Sequence, residues 1–306
     1  MFGIARAAAV KKPGLRGNAG SGISVILQTL RCKQWTKNFF IFAGIVFARR
    51  FFVIPDLIRV ALGFAVFCLV SSGLYIINDL MDLEHDRAHP RKSLRPLARG
   101  AISIPAALAV MVLAFSAGAY IALQLGPEFL WVVSGYAVLI ILYSMYLKKL
   151  AIIDVMTIAA GFVLRTLAGT VLIRVPHSSW LLVCTLLLAL FLALIKRRQE
   201  LFAANANGNG GRKVLESYSA VFLDQAITII TASTLTGYFL YTFGSKHGER
   251  LMLTIPFVLY GVFRYLLLTH REGLGEEPEE VLLTDTPFIV NIFLWIVTSM
   301  VLIYIS

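Results

Sequence analysis

Nine long apolar segments, separated by charged or Pro/Gly-rich breaks, divide this 306-residue chain. A helix needs roughly 20 apolar residues to cross a hydrocarbon core of about 30 Å, and each segment approaches that length. The predicted spans are 38–54, 57–77, 103–123, 129–147, 152–172, 179–196, 224–243, 251–269 and 287–305. This pattern predicts an all-α polytopic membrane protein with about nine transmembrane helices.

The composition agrees with this fold class, because apolar residues far outnumber charged ones. Hydrophobic residues make up 58% of the chain and charged residues only 15%. An average globular chain is about a quarter charged, so the composition excludes an ordinary soluble domain. The cysteines form no CxxC pair and the histidines show no HExxH spacing. We therefore expect neither a disulfide framework nor a zinc site.

Positive charge is distributed unevenly between the two sides of the predicted bundle. If the N-terminus is cytoplasmic, the inner segments hold 20 Lys and Arg residues and the outer segments hold six. Cytoplasmic loops carry such an excess, so we predict a cytoplasmic N-terminus. We interpret residues 1–25 as a basic cytosolic tail and residues 26–306 as one membrane domain. With a net charge of +11, the chain is expected to attract anionic substrates, and we expect no nucleic-acid partner.

The end of the second predicted span carries a stripe of oxygen ligands. Asn78, Asp79, Asp82 and Asp86 fall within one arc of about 100° on a helix. Like charges at this spacing repel, and hard oxygen ligands of this kind suit Mg²⁺ that bridges carboxylates to phosphates. Five basic residues follow, namely Arg87, Arg91, Lys92, Arg95 and Arg99. The segment is therefore either an acidic helix end neutralised by these cations or a metal site beside an anion site, which suggests diphosphate chemistry.

The same residues carry a resemblance to a known family. The run from Asn78 to Asp86 resembles the NDxxDxxxD signature of the UbiA prenyltransferase superfamily, and residues 95–100 resemble its RPLxxG continuation. This resemblance covers essentially the whole chain. It implies a UbiA-like helical bundle and an integral membrane transferase that uses Mg²⁺. Ordinary members bind a prenyl diphosphate between two aspartate-rich motifs and transfer the prenyl group to an aromatic or lipid acceptor.

The second half of the chain departs from that family pattern. Ile158 stands four residues after Asp154, so the second DxxxD motif is absent, and residues 89–92 replace the usual Arg-Thr. Both departures resemble the branch that transfers 5-phosphoribose from phosphoribosyl pyrophosphate to a polyprenyl (decaprenyl) phosphate. Residues 34–38, 143–148, 162–165 and 278–280 also resemble that branch. A conventional prenyltransferase, with a polyprenyl diphosphate donor, is the alternative.

The branch resemblance implies release of diphosphate, a role in cell-wall arabinan precursor synthesis, and a prokaryotic inner membrane with the active site facing the cytoplasm. It assigns Mg²⁺ to Asn78, Asp82 and Asp86, with Asp79 as a further ligand. We predict Asp82, Asp86 and Lys148 as catalytic residues. The predicted substrate-binding residues are Lys37, Lys92, Arg95, Tyr143, Lys148, Asp154 and Arg165. The acceptor phosphate is already ionised near neutral pH, so we assign no general base and no catalytic histidine.

Several charged residues allow two interpretations. Asp154 and Arg165 share a helix face but are separated by roughly 16 Å along its axis. Arg165 either binds a substrate phosphate or belongs to an internal ion pair that stabilises the bundle. Asp154 either holds a ribose hydroxyl, orients Lys148, or belongs to such an ion pair. Lys37 is either an interfacial anchor or a phosphate ligand, and the cluster 196–198 is interpreted as a determinant of topology. A cation-coupled transporter is the competing class, but the carboxylates cluster at one membrane boundary rather than near the midplane.

Overall fold

The computed structural model of the protein describes residues 22–88, 92–207, 213–244, 249–271, 281 and 284–305. The predicted basic tail is therefore described only from residue 22, and residues 89–91 and 278–280 lie outside the described part. The helices are α1 (Gly22–Thr29), α2 (Ala43–Phe47), α3 (Ile54–Met81), α4 (Leu83–Ala88), α5 (Ile104–Leu125), α6 (Pro127–Met145), α7 (Ile153–Leu172), α8 (Ser179–Asn207), α9 (Ala220–Gly244), α10 (Ile255–Arg271) and α11 (Thr286–Ile305). Within these ranges there is no β-strand.

Eight helices of the described chain are long and apolar enough to cross a membrane. They are α3 and α5 to α11, with the span at α10 beginning already at Arg250. Large apolar side chains such as Trp131 and Leu113 are exposed on their outer surfaces, as expected where the bundle faces lipid. The multi-pass membrane fold and eight of the nine predicted spans are confirmed.

The first predicted span, 38–54, is not a continuous helix, so that prediction is wrong. The chain there forms a 3₁₀ helix, Cys32–Phe42, followed by the five-residue α2. The cause is a direct backbone contact with α7, because a Cβ added to Gly169 would lie 1.9 Å from the carbonyl oxygen of Ile41. Arg49, with a φ of 58°, then turns the chain before α3 begins.

Two apolar cores hold the bundle together. The first joins α3, α6 and α7 around Phe67, Phe129 and Tyr136. The second joins α8, α10 and α11 around side chains that include Phe191 and Tyr265. Lipid offers no hydrophobic driving force between helices, so the close packing of these aromatic rings is what stabilises the helix contacts.

The polar segments collect at one end of the bundle, which we call the site face. It contains the C-terminal ends of α3, α6 and α8, the N-terminal ends of α5, α7 and α9, and the turns that join them. Two short 3₁₀ helices, Leu147–Lys149 and Lys213–Ser217, lie in those turns. Side chains from three stretches of chain that are far apart in sequence therefore meet there.

Candidate active site

The acidic motif lies where α3 passes into α4 with only a small break. Asp82 follows the last residue of α3, and its backbone N–H still donates to the carbonyl of Asn78 at 3.0 Å. The N–H of Asp86 in turn donates to the carbonyl of Asp82 at 2.8 Å. Because the helical hydrogen-bond pattern continues across the break, the three aspartates stay on one side of the helix end, as the sequence predicts.

Asp79 and Asp86 are both buried and share one arginine. The Nη1 atom of Arg95 lies 3.1 Å from Asp79 Oδ1 and 2.5 Å from Asp86 Oδ2. Arg31, at the end of α1, also donates to Asp79. A single cationic nitrogen thus bridges the two carboxylates and offsets their mutual repulsion.

Asp82 is the exposed member of the motif. Its side chain is 36% exposed, and both carboxylate oxygens accept from Lys148 Nζ, at 3.0 and 3.1 Å. Lys148 comes from the 3₁₀ turn between α6 and α7. The predicted catalytic residues Asp82 and Lys148 are therefore in direct contact, across 66 residues of sequence.

The donor set fits Mg²⁺ in its chemistry, because three carboxylates and one amide supply hard oxygen ligands. In the described chain no three Asp, Glu, His or Cys side chains converge on a single point. Protein cations instead lie where a metal would act, with Arg95 between Asp79 and Asp86 and Lys148 on Asp82. The negative charges of these carboxylates are therefore paired with basic side chains in this structure.

Asp154, at the start of α7, lies in a different environment. It is 0% exposed, its Oδ2 atom is 2.7 Å from Arg197 Nε, and its Oδ1 atom accepts from the Tyr218 hydroxyl at 2.7 Å. Asp154 therefore belongs to an internal ion pair, one of the interpretations open from the sequence, and its partner is Arg197 rather than Arg165. Topology is also not the only role of the cluster 196–198, because Arg197 is 1% exposed.

Arg165 lies deep in α7 and is held by uncharged groups. Its guanidinium donates to Asn38 Oδ1 at 2.8 Å, to the Tyr136 hydroxyl at 2.7 Å and to the Gly161 carbonyl at 2.9 Å. The ring of Tyr136 also packs against it, 4.5 Å from the ring centroid to Cζ. A cation in a membrane span is costly, and these acceptors with the aromatic ring account for its burial. Its contact with a substrate phosphate stays a prediction.

The other predicted binding residues lie on the site face. Lys37 donates to Gln34 within the 3₁₀ helix Cys32–Phe42. The hydroxyl of Tyr143 accepts from Arg197 Nη2 at 3.1 Å. Lys92 opens a short 3₁₀ helix directly before Arg95. The binding roles of these three residues stay predictions.

Three residues of the site escaped the sequence reasoning: Arg31, Arg197 and Tyr218. Their partners lie 48, 43 and 64 residues away, respectively, at Asp79, Asp154 and again Asp154. No spacing rule relates residues so far apart on different helices. The only local signal was the basic cluster that contains Arg197, and it was interpreted as a topology signal.

The bundle also has an apolar groove, whose lining residues lie along the helices away from the site face. It has a volume of about 570 Å³ and lies between α6, α7 and α8. Its lining includes Gly135, Leu139, Val163, Leu164, Leu182 and Leu186. The residues that line this groove carry no charged side chain.

In the part of the chain that the structure describes, eight candidate membrane spans bring an acidic motif and basic side chains together at one end of the bundle, an arrangement typical of a membrane-embedded transferase. The chain belongs to the UbiA prenyltransferase family, whose sequence model matches residues 38–292. This confirms the resemblance seen in the motif at Asn78–Asp86.

Relatives and solved structures agree with this family. The chain is 31% identical over 300 residues to the decaprenyl-phosphate phosphoribosyltransferase of Mycolicibacterium smegmatis, covering 93% of this chain and 94% of the relative. It is 30% identical over 283 residues to the enzyme of that name from Mycobacterium tuberculosis, covering 90% and 93%. A UbiA homolog from Archaeoglobus fulgidus, solved bound to GPP and Mg²⁺, superposes with a TM-score of 0.69 at 19% identity, covering 92% of this chain and 99% of that one. The last comparison shows the fold alone.

Proposed function

We propose that this protein transfers 5-phosphoribose from phosphoribosyl pyrophosphate to a polyprenyl phosphate in an Mg²⁺-dependent reaction that releases diphosphate. The relatives named as decaprenyl-phosphate phosphoribosyltransferases, at about 30% identity over most of the chain, support this branch of the family. The observation that carries the proposal is the full burial of Asp154.

Asp154 is the remaining acidic residue of the second motif. Ile158 replaces the next acidic position, and Asp154 itself is enclosed by Arg197 and Tyr218. The second motif therefore presents no free carboxylate to a metal–diphosphate complex. A donor held at one acidic motif and a ring of basic side chains suits this arrangement better than a prenyl diphosphate held between two motifs.

The residues of the site would act on the donor diphosphate. Bound Mg²⁺, held by Asn78, Asp82 and Asp86 with Asp79, would neutralise negative charge on the leaving diphosphate. Lys148 and Arg95, released from their carboxylates, donate hydrogen bonds to phosphate oxygens. Preorganised positive charge of this kind stabilises the leaving group as its bond breaks.

The proposed transfer needs no general base. A phosphate oxygen of the acceptor forms a bond to C1 of the ribose, and the C1–O bond to diphosphate breaks with its electron pair leaving on the diphosphate. The acceptor is already an anion near neutral pH, so no proton has to be removed.

The acceptor lipid reaches the site from within the bilayer. Its hydrocarbon chain lies in the apolar groove between α6, α7 and α8, which opens towards lipid. We infer that this face lies in the cytoplasm of a prokaryotic inner membrane, where a water-soluble donor is available; the excess of Lys and Arg on the site face supports this orientation. The product then supplies the synthesis of cell-wall arabinan.

The test uses the full chain purified in detergent, with Mg²⁺, phosphoribosyl pyrophosphate labelled in its ribose, and decaprenyl phosphate. We expect label in the organic phase, abolished by EDTA and by Asp82→Asn. Glu84→Gln is the matched control, because Glu84 lies on the same helix end, exposed and on another face, and it should retain transfer. Prenyl transfer from a polyprenyl diphosphate to an aromatic acceptor, without any phosphoribosyl transfer, would contradict the proposal.

A further inference from the structure

The turn that carries Lys148 contains a strained residue at its junction with α7. Ile152 has a φ of 69° and a ψ of −48°, which is unusual for a β-branched residue. The N–H of Ile153 donates to the carbonyl of Ala151 at 2.8 Å, which closes a γ-turn of the rare form around Ile152. Such a turn persists only where its surroundings hold it in place.

Tyr218, which lies between α8 and α9, hydrogen-bonds to both ends of this junction. Its hydroxyl accepts from the N–H of Ile152 at 2.6 Å and donates to Asp154 Oδ1 at 2.7 Å. The Tyr218 hydroxyl is thus the hydrogen-bond acceptor for the backbone N–H of Ile152 and the donor to the buried carboxylate of Asp154. Burial, together with the hydrogen bond to Asp154, raises the pKa of Tyr218, so the hydroxyl keeps its proton for that bond.

Arg197 holds both sides of the same turn. Its Nε atom lies 2.7 Å from Asp154 Oδ2, just after the turn, and its Nη2 atom donates to the Tyr143 hydroxyl at 3.1 Å, just before it. It also pairs with Glu200 on its own helix. A buried guanidinium with three partners fixes the ends of the segment 143–154 relative to α8.

We propose that Arg197 and Tyr218 are positioning residues, which fix the strained turn so that Lys148 reaches Asp82. This inference rests on the proposed function only for the role of Lys148 in the reaction. The contact between Lys148 and Asp82 is a structural feature that can be measured without substrate.

The direct test is the accessibility of the Lys148 amine. The purified full chain in EDTA is acylated briefly with an amine-reactive ester, and the ratio of modification at Lys148 to that at Lys149 is read by mass spectrometry. The neighbouring lysine corrects for general unfolding. We expect Tyr218→Phe and Arg197→Gln to raise this ratio at least about threefold, since local release of the turn exposes the amine.

Turnover should fall with the same variants. We expect Tyr218→Phe to lower kcat about tenfold, the effect of losing one hydrogen bond that positions a catalytic group. Adding Ile152→Gly to Tyr218→Phe should lower the labelling ratio and raise kcat part of the way back to the values of the unaltered chain. The reason is that glycine adopts a positive φ without strain. A merely structural Tyr218 predicts no such recovery.

The matched control is Arg198→Gln, next to Arg197 on α8. Arg198 pairs with the exposed Asp224 at 2.5 Å and lies outside the network, so its substitution should leave the labelling ratio unchanged. An unchanged ratio in Tyr218→Phe and Arg197→Gln overturns the proposal, whatever happens to activity. A raised ratio without phosphoribosyl transfer in the unaltered chain keeps the positioning and rejects the proposed function instead.

Discussion

The two acidic segments of the site face differ in how their carboxylates are neutralised. Asp82, at the end of α3, is 36% exposed and pairs with the ammonium group of Lys148. Lys148 has a flexible side chain and lies on the turn between α6 and α7. Asp154, at the start of α7, is fully buried between Arg197 and Tyr218. Both segments lie at the same membrane boundary and carry the same type of residue.

This difference in burial gives the two carboxylates different roles within one site. A partly exposed carboxylate such as Asp82 can exchange its lysine partner for a metal ion at small cost. In the pair of Asp154 with Arg197 both partners are buried, and opening it leaves an uncompensated charge. The first acidic segment is therefore suited to catalysis, and the second to holding the turn that serves it.

The largest expected effect is on stability, at Arg197. Replacing it by Met leaves Asp154 buried without its cation, and breaking a buried pair in this way costs about 3–5 kcal/mol. Unfolding of the purified chain in mixed micelles titrated with SDS measures this loss. Arg198→Met breaks the more exposed pair with Asp224 and should cost no more than about 1 kcal/mol. Equal losses would remove the distinction between the two kinds of pair.

The next effect is on turnover, at Asp82. Asp82→Asn removes one negative charge from the proposed metal site, and we expect kcat to fall about 10²–10³-fold, as when a preorganised electrostatic group is lost. The unfolding free energy should change little, because Asp82 is partly exposed. Steady-state transfer assays and SDS titration of the same preparation separate these outcomes. A large loss of stability would instead show that Asp82, like Asp154, mainly stabilises the fold.

A smaller effect is expected when the bridging arginine is removed. Arg95→Gln leaves Asp86 without its cation and Asp79 with Arg31 alone, so the chain should lose about 1–3 kcal/mol of stability in EDTA. Mg²⁺ should restore part of the loss, since a ligand that binds only the folded state stabilises it. Melting curves with and without Mg²⁺ measure this recovery. Stability that does not respond to Mg²⁺ would argue against cation exchange at this motif.

The smallest effect concerns a third pair, which joins α10 to the start of α11. The Arg264 guanidinium donates to both oxygens of Asp285, at 3.2 and 2.7 Å, and lowers the pKa of that carboxyl. A lowered folded-state pKa contributes stability that is complete above the unfolded value of about 3.9 and is lost as the pH falls through the folded value. Melting temperatures between pH 6 and about pH 3 should therefore fall more steeply in the unaltered chain than in Asp285→Asn. Parallel slopes would show that this pair contributes nothing to stability.

The sequence predicted most of the fold because membrane spans are determined by local composition. Eight apolar segments became long helices where expected, and the arc from Asn78 to Asp86 follows from helical periodicity alone. The failure at 38–54 has a non-local cause, the backbone contact between Ile41 and Gly169. The apolarity of the segment carries no information about that crossing.

The site was predicted in part for the same reason. The acidic motif and Lys148 were found from local patterns and from the family resemblance, whereas the partner of Asp154 was not. Arg165 matched Asp154 by helix face but lies too far along the axis, and Arg197 comes from the next helix, α8. Pairing between helices depends on their packing, which one sequence without coordinates does not give.

The most direct test of the account is to ask which acidic segment binds the metal. Mn²⁺ binding to the purified chain, in the presence of inorganic pyrophosphate, is followed by electron paramagnetic resonance in Asp82→Asn, in Asp154→Asn and in the unaltered protein. The account predicts that Asp82→Asn weakens Mn²⁺ binding about tenfold or more, while Asp154→Asn leaves the affinity unchanged. An equal loss of affinity in Asp154→Asn, in protein whose SDS unfolding matches that of the unaltered chain, would make the second acidic segment a metal ligand and would contradict the division of roles between the two segments.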